Sequence, residues 1–257
     1  MVGGTMRKVL QSLALVVTFG TIVPMPVVGR VYYHALRRSM GFFPVVGWGL
    51  GLLLWGLMWA GKHFVAHFPA AVVTLALYVL MTGALHLDGL ADTFDALGSR
   101  RSGPEALAVM KDSRIGTMGA VAVILVLMGK AIAFSHLPVY DFGVWVVVPV
   151  LARTSVVWLM MEVPAARPEG LGTLYAGQLS KWTLAGATVV GVLTTVGLLP
   201  WRQALELLIL STGVTLLWGL LICRRFGGAT GDTYGALLEI VEWVGFLTLT
   251  GGWGFGR

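Results

Sequence analysis

Apolar residues in this chain come in long, nearly unbroken runs, and polar residues in short bursts between them. There is neither the alternation of a half-buried strand nor the one-sided stripe of a soluble helix. A bilayer-crossing helix needs about 20 mostly apolar residues. Seven stretches approach or reach that length: 42–61, 69–86, 117–135, 143–163, 183–200, 204–223 and 234–250. Pro69 suits a first helical turn, and Pro138 and Pro200 suit loops or ends. The pattern predicts an all-α, polytopic membrane helix bundle of about seven spans in one domain, 1–257, with no soluble domain, repeat or low-complexity linker.

Composition agrees. Of 257 residues 57% are hydrophobic and only 12% charged, with 35 glycines and a mean hydropathy of +0.84. A water-soluble globule carries about 25% charged residues, and a disordered chain has low hydrophobicity. Glycine is frequent in membrane helices. The single cysteine, Cys223, excludes intramolecular disulfides and cysteine-rich metal sites. Nothing in the pattern calls for a nucleic-acid partner; the partner that composition demands is the lipid bilayer. A homo-oligomer stays compatible with the sequence.

Charge arbitrates the segment 9–28, which is apolar but holds Thr18, Thr21, Pro24 and Pro26. Arg7 and Lys8 precede it; Arg30, Arg37 and Arg38 follow it. Crossing would place one basic cluster outside, against the positive-inside rule. The segment is therefore expected to be an interfacial or re-entrant helix. Pro24-Met-Pro26 stands where a leader cleavage site would be, which argues against a cleavable signal. With the N-terminus inside and seven crossings, thirteen basic residues fall inside and three (Lys62, Arg202 and Arg257) outside. Lys130 and Arg153 fall within spans. Lys130, nearer a span end, is expected to snorkel. Intramembrane Arg153 is a functional candidate.

The twelve acids sharpen the picture, because carboxylates in lipid are costly. Seven of them fall in three stretches at or near the expected cytosolic ends: 86–95, 111–117 and 227–242. Asp88, Asp92 and Asp95 share one helical face. Three like charges repel unless cations sit among them, and carboxylate, water and phosphate oxygens are what Mg²⁺ prefers. The alternative is a solvated helix end. In Lys111-Asp112-Ser113-Arg114, the cations could hold phosphate and Asp112 could add a metal ligand, or the stretch is an ordinary polar loop. In the run Gly227 to Asp232, the amides of Gly228, Thr230 and Gly231 could cradle an anion at a helix start; the plainer reading is a turn with Asp232 as a cap. Glu239 and Glu242 lie inside the last hydrophobic stretch and should face a polar cavity, as metal ligands or as partners of Arg153. His86 could be a ligand, a base or a satisfied polar group.

The stretch Thr82-Gly-Ala-Leu-His86-Leu-Asp88-Gly-Leu-Ala-Asp92-Thr-Phe-Asp95 resembles the signature of the cobalamin synthase family, the adenosylcobinamide-GDP ribazoletransferases. So do Met110 to Gly119, Phe43 to Gly47, Pro164 to Gly172 and Gly228 to Gly235, in the family's order. Ala96 stands where glycine is usual, and Thr21 where the family usually has a basic residue. The resemblance implies a Mg²⁺-requiring enzyme of the cytoplasmic membrane, its site facing the cytosol. It would join adenosylcobinamide-GDP to α-ribazole or its 5′-phosphate and release GMP. On that reading the metal ligands come from Asp88, Asp92, Asp95, Asp112, Asp232, Glu239 and Glu242. Lys111, Arg114 and Arg153 neutralise phosphate, and His86 or a carboxylate takes the hydroxyl proton.

Two other classes compete. A CDP-alcohol phosphotransferase shares Asp88-Gly89-Leu-Ala91, but here Asp92 replaces that family's arginine and the Gly-x₃-Asp-x₃-Asp tail is missing. An ion-coupled transporter would suit Arg153, Glu239 and Glu242, but no inverted repeat is evident.

Overall fold

The computed structural model describes residues 2–26 and 31–251; Arg30 and Arg257, which entered the topology argument, lie outside the described residues. All regular elements among the described residues are helices. In order they are α1 (Val2–Gly20), α2 (Tyr33–Ser39), a 3-10 turn (Met40–Phe42), α3 (Phe43–Gly61), α4 (His67–Met81), α5 (Leu85–Gly98) and α6 (Gly103–Val109). Then follow α7 (Thr117–His136), α8 (Phe142–Glu162), α9 (Leu171–Tyr175), α10 (Lys181–Leu198), α11 (Trp201–Phe226) and α12 (Gly231–Thr250).

Six of the seven expected segments are each essentially one helix and 69–86 breaks at 82–84 between α4 and α5, but length and composition qualify only five helices as spans: Tyr33–Gly61, α7, α8, α10 and α11. A sixth arises if α4 and α5, bent by 89° from each other, count as one broken span. By this measure the expected count of seven is not confirmed. Helix α4 has only 15 residues. Helix α12 carries Asp232, Glu239 and Glu242, which lower its apolarity. The chain is a polytopic helical membrane protein.

Helix α8 is the axle, with 89% of its best apolar window buried inside the protein. It is packed by α3, α10, α11 and α12. Gly47 and Gly51, one turn apart on α3, allow the closest approach. A Cβ at Gly47 would stand 2.6 Å from the Pro149 carbonyl oxygen, and one at Gly51 2.5 Å from the Cα of Val146. Small residues spaced by four let membrane helices touch backbone to backbone.

Contacts define two ends. At one, Gly41 ahead of α3 lies against Thr183 of α10, Asp95 of α5 meets the start of α7, and residues 164–166 pair with Ala229. At the other, Trp55 donates to the Val139 carbonyl at 2.9 Å and Lys62 lies 4.2 Å from the centre of the Tyr140 ring. Helix α1 is tied to the first end. Arg38 donates to Ser12 at 3.2 Å, and Ile22 beyond its C-terminus donates to the Met81 carbonyl at 2.8 Å. The middle of α1 and the chain just beyond its C-terminus thus both lie at this end of the bundle.

Candidate active site

The α4–α5 corner builds the site. Gly83 (φ +63°) and Ala84 (φ +55°) are both left-handed, which turns α5 across the end of the bundle. The conformation suits glycine; at Ala84 it costs strain. Helix α5 then lies against the start of α12. A Cβ at Gly89 would be 2.7 Å from the Asp232 carbonyl oxygen, and one at Gly235 3.1 Å from the Cα of His86. These glycines bring Asp88, Asp92 and Asp232 into one acidic patch drawn from two helices.

Asp92, on α5 outside the five spans, shows the electrostatic consequence. Its carboxyl is pushed up to about 6, first by partial burial and then by Asp88, Asp232 and Asp95, with Arg167 opposing. A carboxylate crowded by three others holds its proton more tightly. A divalent cation would relieve the same repulsion.

Other candidates are engaged elsewhere. Asp95 accepts the amides of Gly116 at 2.6 Å and Gly119 at 2.7 Å, so both its oxygens cap α7 instead of joining a metal shell. Asp112 is bound by Arg114, Nη2 to Oδ2 at 2.7 Å, and is held down to about 2 by those hydrogen bonds. Both side chains are exposed in the loop before α7 beside exposed Lys111, the plainer of the two readings for that stretch.

Glu239 and Glu242 are corrected most. Lys130 Nζ donates to Glu239 Oε2 and to Glu242 Oε2, each at 2.7 Å. Arg153 Nη1 donates to Glu242 Oε1 at 2.9 Å, and the Tyr78 hydroxyl donates to the same oxygen at 2.5 Å. Arg153 also reaches the Pro149 carbonyl at 2.9 Å. All five side chains are buried. Two cations and two anions form a neutral cluster tying α4, α7, α8 and α12 together. The expected metal ligands are therefore ion-pair partners, as the sequence allowed for Glu242 and Arg153. Arg153 is turned to this cluster and not to the phosphate-sized cleft described below. Lys130, 1% exposed, does not snorkel.

The glycine run holds a built loop. Ala229 donates to the Pro164 carbonyl at 2.8 Å and its own carbonyl accepts from Ala166 at 3.0 Å. Gly228 (φ +155°) leaves no room for a Cβ beside the Pro164 carbonyl. Thr230 caps α12, accepting from the Thr233 amide at 3.2 Å while its own amide donates to the Thr233 hydroxyl at 2.8 Å. Between this loop and residues 167–172 opens a cleft of about 160 Å³, lined by Arg167, Glu169, Thr230, Gly231 and Asp232 among others. Arg167 was not singled out on its own, although it lies in the Pro164–Gly172 stretch that carries the resemblance. Its Nη2 donates to the Leu107 carbonyl at 2.9 Å and its buried Nε has no partner.

Among the described residues no three His, Cys, Asp or Glu side chains are gathered tightly enough to hold a metal alone. The donor set still fits Mg²⁺. That ion commonly takes one or two carboxylates and completes its shell with water and substrate phosphate oxygens. Asp88, Asp92 and Asp232 are the carboxylates left for that role.

Comparison with known proteins decides the kinship. The cobalamin-5-phosphate synthase family model matches residues 12–250. The chain belongs to the cobalamin-5-phosphate synthase family. Relatives named adenosylcobinamide-GDP ribazoletransferase include one from Brevibacillus brevis, 36% identical over 92% of this chain and 96% of the relative. One from Pseudomonas entomophila is 40% identical over 87% and 92%, and one from a Roseiflexus species 38% over 90% and 86%. No solved structure matches. In this family member the five stretches that carried the resemblance map onto the acidic patch and its walls: the α3 start, the α4–α5 corner, the α7 cap, the 164–172 loop and the α12 start.

Proposed function

We infer that the protein is an adenosylcobinamide-GDP ribazoletransferase, transferring the adenosylcobinamide phosphate unit to α-ribazole or its 5′-phosphate with release of GMP. The observation that carries this reading is the family match along residues 12–250, together with an acidic patch opening on a cleft that holds Arg167. A hydroxyl oxygen of the ribazole forms a bond to the cobinamide-side phosphorus, and the bond from that phosphorus to the GMP oxygen breaks. Arg167 and the Gly231 amide at the start of α12 bind phosphate oxygens as a guanidinium and a helix N-terminus do; the Thr230 amide is spent on the Thr233 hydroxyl. The hydroxyl proton passes to a carboxylate of the patch. Asp88, Asp92 and Asp232 would hold Mg²⁺, which when bound neutralises charge developing on the pyrophosphate.

The protein would sit in the bacterial cytoplasmic membrane with this end toward the cytosol, since the basic residues crowd there. A transporter reading loses its motive, because Glu239 and Glu242 are paired with Lys130 and Arg153 and leave no uncompensated charge to couple an ion. The experiment is GMP release by the purified protein in nanodiscs. Release should require both substrates, stop with EDTA and return with Mg²⁺. Release with either substrate alone, or undiminished in EDTA, would contradict the reading.

A further inference from the structure

Beside the acidic patch lies a second chamber, of about 80 Å³, which shares Leu171, Gly231 and Asp232 with the cleft. Its walls are largely apolar, including Phe19, Phe43, Val156 and Leu238. The two phenylalanine rings meet edge to face, 5.7 Å apart. Four polar side chains also line it: Asp88 and Asp232 of the acidic patch, and His86 and Tyr234, which are 5% and 4% exposed. His86 Nδ1 and the Tyr234 hydroxyl are buried and have no hydrogen-bond partner. Buried polar atoms without partners are rare and costly. Two of them at one aromatic-walled chamber mark a ligand site.

We propose that this chamber binds the planar heteroaromatic base of the acceptor nucleoside, with Tyr234 and His86 reading its polar atoms; the proposal rests on the transferase reading above. The chemistry selects this occupant. Aromatic walls suit a flat ring. An azole base substituted at one nitrogen presents one lone pair, at its other ring nitrogen, to which the Tyr234 hydroxyl can donate. A hydroxyl of the attached ribose can pair with His86. Guanine, the base of the donor, carries a ring N–H and an exocyclic amine that would need the Asp88 or Asp232 carboxylate, the groups assigned above to Mg²⁺. A lipid acyl chain would leave Tyr234 and His86 without partners. Asp88 and Asp232 also line the chamber, so a base seated there leaves its sugar hydroxyl beside the carboxylates and the phosphate cleft.

The test uses the full chain in nanodiscs, with α-ribazole and adenosylcobinamide-GDP varied separately. Tyr234→Phe removes one hydroxyl and should raise KM for α-ribazole by roughly 3- to 10-fold, the worth of one hydrogen bond. KM for adenosylcobinamide-GDP should stay within about twofold on the same grounds. Leu85→Trp, at a half-exposed wall of the chamber that the cleft does not share, should do the same by narrowing the chamber, and it covers the case in which Tyr234→Phe does not fold. Equilibrium dialysis of α-ribazole without donor should show binding to wild type and weakened binding to both variants. Unchanged α-ribazole KM and binding in a monodisperse variant would overturn the proposal, as would a rise confined to the donor KM. Absence of GMP release from wild type would instead overturn the reaction, and the dialysis would still decide the chamber.

Discussion

Among single residues, those with legible roles had local causes. Three aspartates at helical spacing showed their common face in the sequence, and Asp88 and Asp92 do share the patch with Asp232. Asp95 was on that face too, but its use is set by where α7 begins, a long-range fact that spacing does not carry. Lys130 shows the same limit. Its expected snorkelling assumed a lone cation, whereas two glutamates 109 and 112 residues away meet it. Lys130→Met should strand two buried carboxylates against one arginine and lower stability by about 3–5 kcal/mol, the usual cost of removing one partner from a buried pair. Unfolding in detergent, compared with surface Lys62→Met, checks this. Asp92 supplies a pH prediction. Its folded-state affinity for a proton is raised from 3.8 to about 6, so the native state binds more protons than the unfolded state between those values. Stability of metal-free protein should therefore fall as pH rises from about 4 to about 6. Thermal unfolding scans should show that slope, flattened in Asp92→Asn and offset by Mg²⁺.

At the level of elements, apolar runs located the helices well because lipid demands them. They leave the span count open where a helix is short or carries paired charge, as in α4 and α12. The 89° corner after α4 was written in Gly83 but hidden by Ala84, a residue that seldom adopts a left-handed conformation. The α3–α8 contact, whose Gly-x₃-Gly spacing was present but not singled out, should be fragile. Gly51→Leu places a side chain where the Val146 Cα stands 2.5 Å from an ideal Cβ, and must push the helices apart. Since α8 carries Arg153, the variant should lose folded yield in membranes, read by fluorescence-detected size exclusion. Gly56→Leu is the control, because a Cβ there meets nothing within 4 Å. Equal losses for both would contradict the packing argument.

For the molecule as a whole, the separation of charge was the most legible feature. Positive-inside logic predicts a cytosolic site end, and the acidic patch and the Arg167 cleft gather at that end. What the sequence hid was the division of labour among its few carboxylates: a reactive patch at the end, and a neutral ion cluster buried between helices. Orientation can be checked in a Cys223→Ser background, where Arg100→Cys should react with an impermeant maleimide in inside-out vesicles and Lys62→Cys only in right-side-out ones. The most direct test of the central claim is GMP release by purified protein in nanodiscs given adenosylcobinamide-GDP, α-ribazole and Mg²⁺. Wild type should turn over only with all three, and Asp92→Asn, folded and monodisperse, should lose roughly 100-fold or more in kcat, about 2.7 kcal/mol of transition-state stabilisation. Near-normal turnover by Asp92→Asn with unchanged Mg²⁺ dependence would contradict the account.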